Sequence, residues 1–240
     1  MESLGHVKTR FVALFAIILG TALGGLALAQ ADDKPSAAQV LRFVRFTEGS
    51  QNRSLTGRLW TSSDEGRIVV PFNLDMNGST ITYSFDGPPE ALVLHLGDNS
   101  SRLDRVTGRG KAEKISGAKL DDPIRGTDIT YEDLALKFLY WNNAVVEGEE
   151  NVGIRRCWVV RAVPSSRGES QYDMVRLWVD KTGGLLQADC FSHGRKVKRF
   201  KVTNVQRSHD AAGGFILKSL RVERTDVDKS PTYLEINPPR

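Results

Sequence analysis

The chain has 240 residues, 40% hydrophobic and 26% charged, with 33 Lys and Arg against 29 Asp and Glu. That balance excludes a disordered tail or a nucleic-acid arm, and an excess of +4 is only mildly suggestive of anionic partners. Cysteine occurs twice, at Cys157 and Cys190, with no pair at metal-binding spacing.

Residues 1–29 predict a cleavable secretory signal peptide. Lys8 and Arg10 form a basic start, residues 11–19 an unbroken apolar core, and Ala27-Leu28-Ala29 a small-residue cleavage site before Gln30. The competing reading is an uncleaved anchor, against which stand Gly20, Gly24 and Gly25, which weaken the segment as a helix. No cysteine lies near position 30 to accept a lipid. About 210 residues remain (240 minus 29), enough for a single domain over 30–240 with one sizeable core.

The first element of that domain is a helix. Ser36-Ala37-Ala38-Gln39 has the form of a capping box, and Val40, Leu41, Phe43 and Val44 supply an apolar face running to about Thr47, with Gly49 as the stop. Strands follow. Ile68, Val70, Phe72, Leu74 and Met76 alternate with wetter residues, and Ile81, Tyr83, Phe85 and then Leu92, Leu94, Leu96 repeat the period of two. Asn77-Gly78, Gly87-Pro88-Pro89 and Gly97-Asp98-Asn99 separate them as turns, predicting an antiparallel meander that curls.

The rhythm breaks at residues 126–134. Thr130 with Asp133 three residues on predicts the cap of a short helix over 135–141. Further strands are predicted over 154–163, 172–180, 185–191, 197–205, 215–222 and 232–236, with Lys181-Thr182-Gly183-Gly184 as a hairpin turn. The layout is mainly β: about ten antiparallel strands in one curved open sheet, with two or three helices. Centring hairpins on 182–183 and near 167–168 pairs Val175 with Cys190 and Trp178 with Cys157. Positions 175 and 178 face opposite ways, so the cysteines are expected as free thiols.

Signals for chemistry are sparse. His95, His193 and His209 lack metal-binding spacing, no serine sits in a Gly-x-Ser-x-Gly elbow, and no phosphate loop precedes a helix. No catalytic residue, metal or cofactor is expected. The acids Asp128, Glu132 and Asp133 are read as helix-start carboxylates in preference to a catalytic cluster. The basic run Arg195, Lys196, Lys198, Arg199 and Lys201, interleaved with Val197, Phe200 and Val202, reads as a strand with its charges in water; lipid head groups or an acidic partner are its functional alternative. A sheet of this length curling round so few helices predicts an apolar hollow, for which Trp60, Phe72, Tyr83, Phe85, Trp158 and Trp178 are candidate linings. Simple packing of the same six residues into a filled core stays open.

Residues 125–134, Arg-Gly-Thr-Asp-Ile-Thr-Tyr-Glu-Asp-Leu, resemble the Gly-(Ser/Thr)-Asp-x-(Ser/Thr)-Tyr-Glu-Asp-Leu signature of bacterial outer membrane lipoprotein-sorting proteins of the LolA-like superfamily. Cys157-Trp158-Val159-Val160, Pro164, residues 175–180 and Lys196-Val197-Lys198 also fit. The resemblance implies an open antiparallel half-barrel whose concave apolar face is covered by helices. It implies a monomeric periplasmic carrier of lipoprotein acyl chains or other lipids toward the outer membrane, meeting membranes only transiently and exchanging cargo with an inner-membrane transporter. No nucleic acid is involved. A periplasmic sensor or adaptor that detects lipoproteins through the same fold is the alternative. Gly126, Thr127, Asp128, Tyr131, Glu132, Asp133 and Leu134 are the signature residues of its lid, with Asp128 and Asp133 expected to fix the helix start and Tyr131 to pack beneath it. Arg42, Arg45 and Arg58 are candidates for the arginine that latches the lid in the carrier itself, and the sequence does not choose among them.

Overall fold

The structure, a computed structural model, describes residues 34–49, 51–108, 110–166, 168–207 and 215–237. The expected signal peptide lies outside the described residues. Among those residues no helix is long and apolar enough to cross a membrane.

Helix α1 (Ala37–Gly49) begins as the sequence predicts. The Ser36 hydroxyl accepts from the Gln39 backbone N–H at 3.2 Å and the Gln39 side chain accepts from the Ser36 N–H at 2.8 Å, a complete capping box. Ala37, Val40, Leu41 and Val44 are buried, while Phe43 and Phe46 stay exposed. The chain then forms one meander: β1 (Asn52–Ser63), β2 (Gly66–Asn77), β3 (Thr80–Phe85), β4 (Glu90–Leu96), β5 (Ser101–Thr107) and β6 (Ala112–Lys114). A second comprises β7 (Asn143–Val152), β8 (Arg155–Val163), β9 (Met174–Asp180), β10 (Leu185–Ser192), β11 (Arg195–Arg207), β12 (Phe215–Arg224) and β13 (Thr232–Ile236).

Pairing of β1 with β13 joins the two meanders, so the sheet runs β6-β5-β4-β3-β2-β1-β13-β12-β11-β10-β9-β8-β7. Among the described residues thirteen strands replace the expected ten or so, because β1, β5, β6 and β7 carry little apolar alternation of their own. The topology has a consequence for the covering segment. β6 and β7 are the two outer edges, and the linker between them must travel from one edge of the sheet to the other.

That linker crosses the concave face as a strap. It contains a 3-10 turn at Gly117–Asp121, the short helix α2 (Tyr131–Ala135), and a second 3-10 turn at Lys137–Tyr140. The expected helix over 135–141 is corrected: Leu136 takes a left-handed conformation (φ 51°, ψ 30°), ending the α-helix after five residues. The strap and α1 bury the concave face in two apolar clusters. One joins Leu55, Leu59, Phe72, Leu92, Leu94 and their neighbours to Leu120, Ile124 and Ile129 of the strap. The other joins α1 and Phe138, Leu139 and Trp141 to Val160, Val175, Leu177, Val179 and Cys190. Leu136 and Phe200 touch both.

Register fixes the cysteines. Cys190 pairs with Val175 as predicted, whereas Cys157 pairs with Asp180 and not with Trp178, a slip of two residues that preserves the face. Cys190 therefore packs in the concave cluster and Cys157 in a small cluster on the convex side with Val159, Trp178 and Leu186; both are free thiols.

Candidate functional site

The signature forms the central part of the strap, and its residue types explain why it lies where it does. Arg125 and Gly126 both have positive φ (49° and 76°), which turns the chain sharply onto the sheet. Arg125 is held there by its own guanidinium, which donates to the carbonyls of Asp86, Gly87 and Pro88 at 3.0, 3.1 and 2.6 Å and lies over the Phe85 ring. The strap is thereby tied to the β3–β4 turn. Thr127 secures the next bend, donating to the Ile124 carbonyl at 2.7 Å.

Asp128 is not a helix-start acid, contrary to the expectation. Its carboxylate accepts from the Thr232 hydroxyl at 3.0 Å and from Lys229 Nζ at 2.9 Å, and its backbone N–H donates back to Thr232 Oγ1, which fastens the strap to β13. Asp133 does cap α2, accepting from the Thr130 N–H at 2.8 Å while Thr130 accepts from the Asp133 N–H. It also accepts from Lys198 Nζ on β11 and from the Tyr172 hydroxyl, both at 2.7 Å. Glu132 accepts from the Gln171 N–H at 3.1 Å. Burial pushes the Glu132 carboxyl above its ordinary range, and burial beside Asp133 pushes the Tyr172 phenol far above its own, so that Tyr172 stays a neutral donor. Tyr131 and Leu134 pack against the first apolar cluster.

Lys198 is the residue the sequence placed wrongly. It is 3% exposed, under the strap and not in water. The cause is a bulge: Cys190 pairs with Lys198 and Phe191 with Lys196, which leaves Val197 unopposed and turns Lys198 to the concave side. Lys196 and Arg199 remain on the convex face against Asp189. A cation between Val197 and Phe200 facing a Glu-Asp pair was the available signal, invisible without the bulge.

Beside these anchors opens a pocket of about 400 Å³, walled by Gly126, Thr127, Asp128 and Thr130 of the strap and by Gln171, Tyr172, Lys198 and Arg224 opposite. Its wall is polar, and each of its cations is matched: Lys198 by Asp133, Lys229 by Asp128, Arg224 by Asp226. Among the described residues no group of three or more His, Cys, Asp or Glu is placed to hold a metal ion.

The six candidate lining residues do not come together. Phe72 and Phe85 are buried in the first cluster with Tyr83 against them, the rings meeting edge to face at 6.0 and 6.2 Å. Trp158 packs against the second cluster. Trp178 lies on the convex face, donating to Glu150 at 2.9 Å, and Trp60 stacks on Tyr233 with Arg67 over its ring. Of the three candidate arginines, Arg45 reaches the strap: its guanidinium donates to the Leu139 carbonyl and lies 4.8 Å from the Tyr140 ring centroid. Arg58 pairs with Glu235, and Arg42 is exposed on α1.

Known proteins share this architecture. A DUF1329 family protein from Desulfovibrio piger superposes with a TM-score of 0.65 at 19% identity, over 84% of this chain and 90% of that one. A domain named for outer membrane lipoprotein sorting from Vibrio parahaemolyticus gives 0.66 at 15% identity over 84% and 92%. A LolA superfamily protein from Nitrosomonas europaea gives 0.63 at 15% over 85% and 93%. At such identities the likeness is one of fold, and it is the half-barrel fold that the signature led us to expect. No curated protein matches the chain in sequence. Residues 108–238, which hold the strap and the whole second meander, match the model of a family described as "Uncharacterized protein", and with more than half of its 240 residues matched the chain belongs to that family.

Proposed function

We propose that the protein is a periplasmic carrier that takes acyl chains of lipoproteins or other lipids between the concave face of its sheet and the cover formed by α1 and the strap, for sorting toward the outer membrane. It does so without cofactor or covalent chemistry. The supporting observation is how differently the cover is held at its two ends. The strap is bolted down by buried charge at Asp128 and Asp133. Over the second cluster, α1 is tied to the strap through Arg45, which donates to the Leu139 carbonyl. Separating α1 exposes Val40, Leu41 and Val44, a cost of about 1.5–3 kcal/mol each. An acyl chain of roughly sixteen carbons buries on the order of 0.8 kcal/mol per methylene, which exceeds that cost. The exchange favours a bound chain. That the acids of the signature are all engaged by cations, hydroxyls or backbone N–H groups supports a fastening role for them.

The test is native mass spectrometry of gently purified protein together with uptake of a fluorescent fatty acid. A co-purifying acyl ligand, or saturable uptake, is the expected result. Absence of both sinks the reading. Arg45→Leu should raise the rate of uptake and leave the sheet intact by circular dichroism.

A further inference from the structure

The register of the sheet places the β2–β3, β7–β8 and β9–β10 turns at one end of the half-barrel, with the signature and its pocket toward the other. The last turns of α1 lie across that first end. Gly183 in the β9–β10 turn is so close under Phe43 and Thr47 that a methyl group on it would meet them at 3.0 and 2.6 Å, and a methyl group on Gly49 would lie 3.9 Å from Ser79 Cα at the β2–β3 turn. Here the molecule shows apolar side chains to solvent. Phe46 is 69% exposed and Phe43 43% exposed on α1, and Ile154, at the tip of the β7–β8 hairpin, is 102% exposed. The hairpin tip is linked to the same turn, since Arg155 donates to Asp180 at 2.8 Å.

Around these side chains lie four cations, set against the carboxylates of Glu48, Glu149 and Asp180. Arg42, exposed next to Phe43, has no counter-ion among the described residues. Arg155, Arg156 and Lys181 share the two carboxylates Asp180 and Glu149. We propose that this end of the half-barrel docks on an anionic lipid surface, with Phe46, Phe43 and Ile154 entering the head-group region and the four cations meeting lipid phosphates. A fluid bilayer accepts side chains that protrude singly from a helix and a hairpin tip. A protein partner needs a continuous matched platform of about 800 Å² on each side, which separate protrusions do not make. Basic residues at such a rim draw a protein toward anionic lipid and are weakened by salt.

This inference concerns the surface and stands or falls separately from acyl-chain binding. Wild type and variants purified identically, with the same N-terminus by intact mass, are sedimented with vesicles of phosphatidylglycerol and phosphatidylethanolamine, and with phosphatidylcholine vesicles. Binding to the first set at low salt, loss at high salt and weak binding to the second are expected. Phe46→Ser with Ile154→Ser should weaken binding by at least about tenfold, and Arg42→Glu should weaken it and flatten its salt dependence. Phe43, which packs on Gly183, is left unchanged so that folding is not at issue. Fatty-acid uptake should be the same in the Phe46→Ser, Ile154→Ser protein as in wild type. Wild type that ignores anionic vesicles, or a Phe46→Ser, Ile154→Ser protein that binds them as well as wild type, overturns the proposal.

Discussion

An ammonium group at 3% exposure is tolerable only with its counter-charge in contact, and Lys198 has Asp133 at 2.7 Å. Removing one partner leaves the other charge buried alone. Lys198→Met should therefore destabilise the protein by about 3–5 kcal/mol, seen as a lower urea midpoint with unchanged slope. Adding Asp133→Asn should cost less than the sum of the two single changes, because the second removes the charge that the first stranded. Glu132 behaves differently. Burial raises its carboxyl above the ordinary value of 4.5, against hydrogen bonds from Ser170 and Gln171. A raised folded-state value means that the fold prefers the protonated form. Its stabilising share is present below about 4.5 and is lost as pH rises through the folded value. Glu132→Gln keeps the neutral form at every pH and can still accept from the Gln171 N–H. In paired urea titrations it should match or exceed wild type at neutral pH, and the gap should close on acidification. The thiols give a third check at this scale. Burial lifts Cys157 above, and Cys190 well above, the usual thiol value, so neither should react with a maleimide until the protein is unfolded.

Among the elements, β1 shows what the sheet demands of a single position. Gly57 faces both the β13 backbone and the Phe72 ring. A methyl group there would lie 2.5 Å from the Glu235 carbonyl oxygen and 2.6 Å from Phe72 Cζ. The oxygen is backbone and cannot swing away, so Gly57→Ala should cost about 1–3 kcal/mol and lower the thermal midpoint, the loss arising at the β1–β13 seam that joins the two meanders. That seam was not legible beforehand. β2, β3 and β4 could be read from sequence because one face of each is buried and their alternation is clean. β7 could not, because an edge strand packs on one side only and its glutamates answer arginines on β8 and β9. The start of α2 was legible in Thr130 and Asp133, since a cap is a local device; its early stop was not, since Leu136 in the left-handed region carries no side-chain signature. Of the site, the Thr-Tyr-Glu-Asp run was visible as a motif. Tyr172 and Lys198, which meet Asp133, lie 39 and 65 residues from it, and Thr232, which meets Asp128 just ahead of the run, lies 104 residues away; only the folded register brings them together.

For the molecule as a whole, the decisive feature is that a chain leaving the sheet at one outer edge must re-enter at the other. The strap that results covers the concave face, and its fastenings at Arg125, Asp128 and Asp133 make it the stationary part of the cover. α1, outside the sheet connectivity, is the part that can move without breaking a strand pair. On the proposed function, acyl-chain binding should then leave two marks that do not coincide in space. Any ligand that binds the native state alone stabilises it, by about 2.7 kcal/mol at a free concentration one hundred times its dissociation constant, so saturating fatty acid should raise the unfolding free energy globally. At the same time α1 must give up its place over Val160, Val175 and Leu177, so its amides should lose protection in hydrogen exchange while those of α2 and β11 gain it. A fatty acid lodged elsewhere, such as the polar pocket or the convex face, would stabilise the fold without loosening α1. Exchange measured across α1 in loaded and empty protein therefore decides whether the acyl chain enters beneath the helix, and a uniform gain in protection would rule that route out.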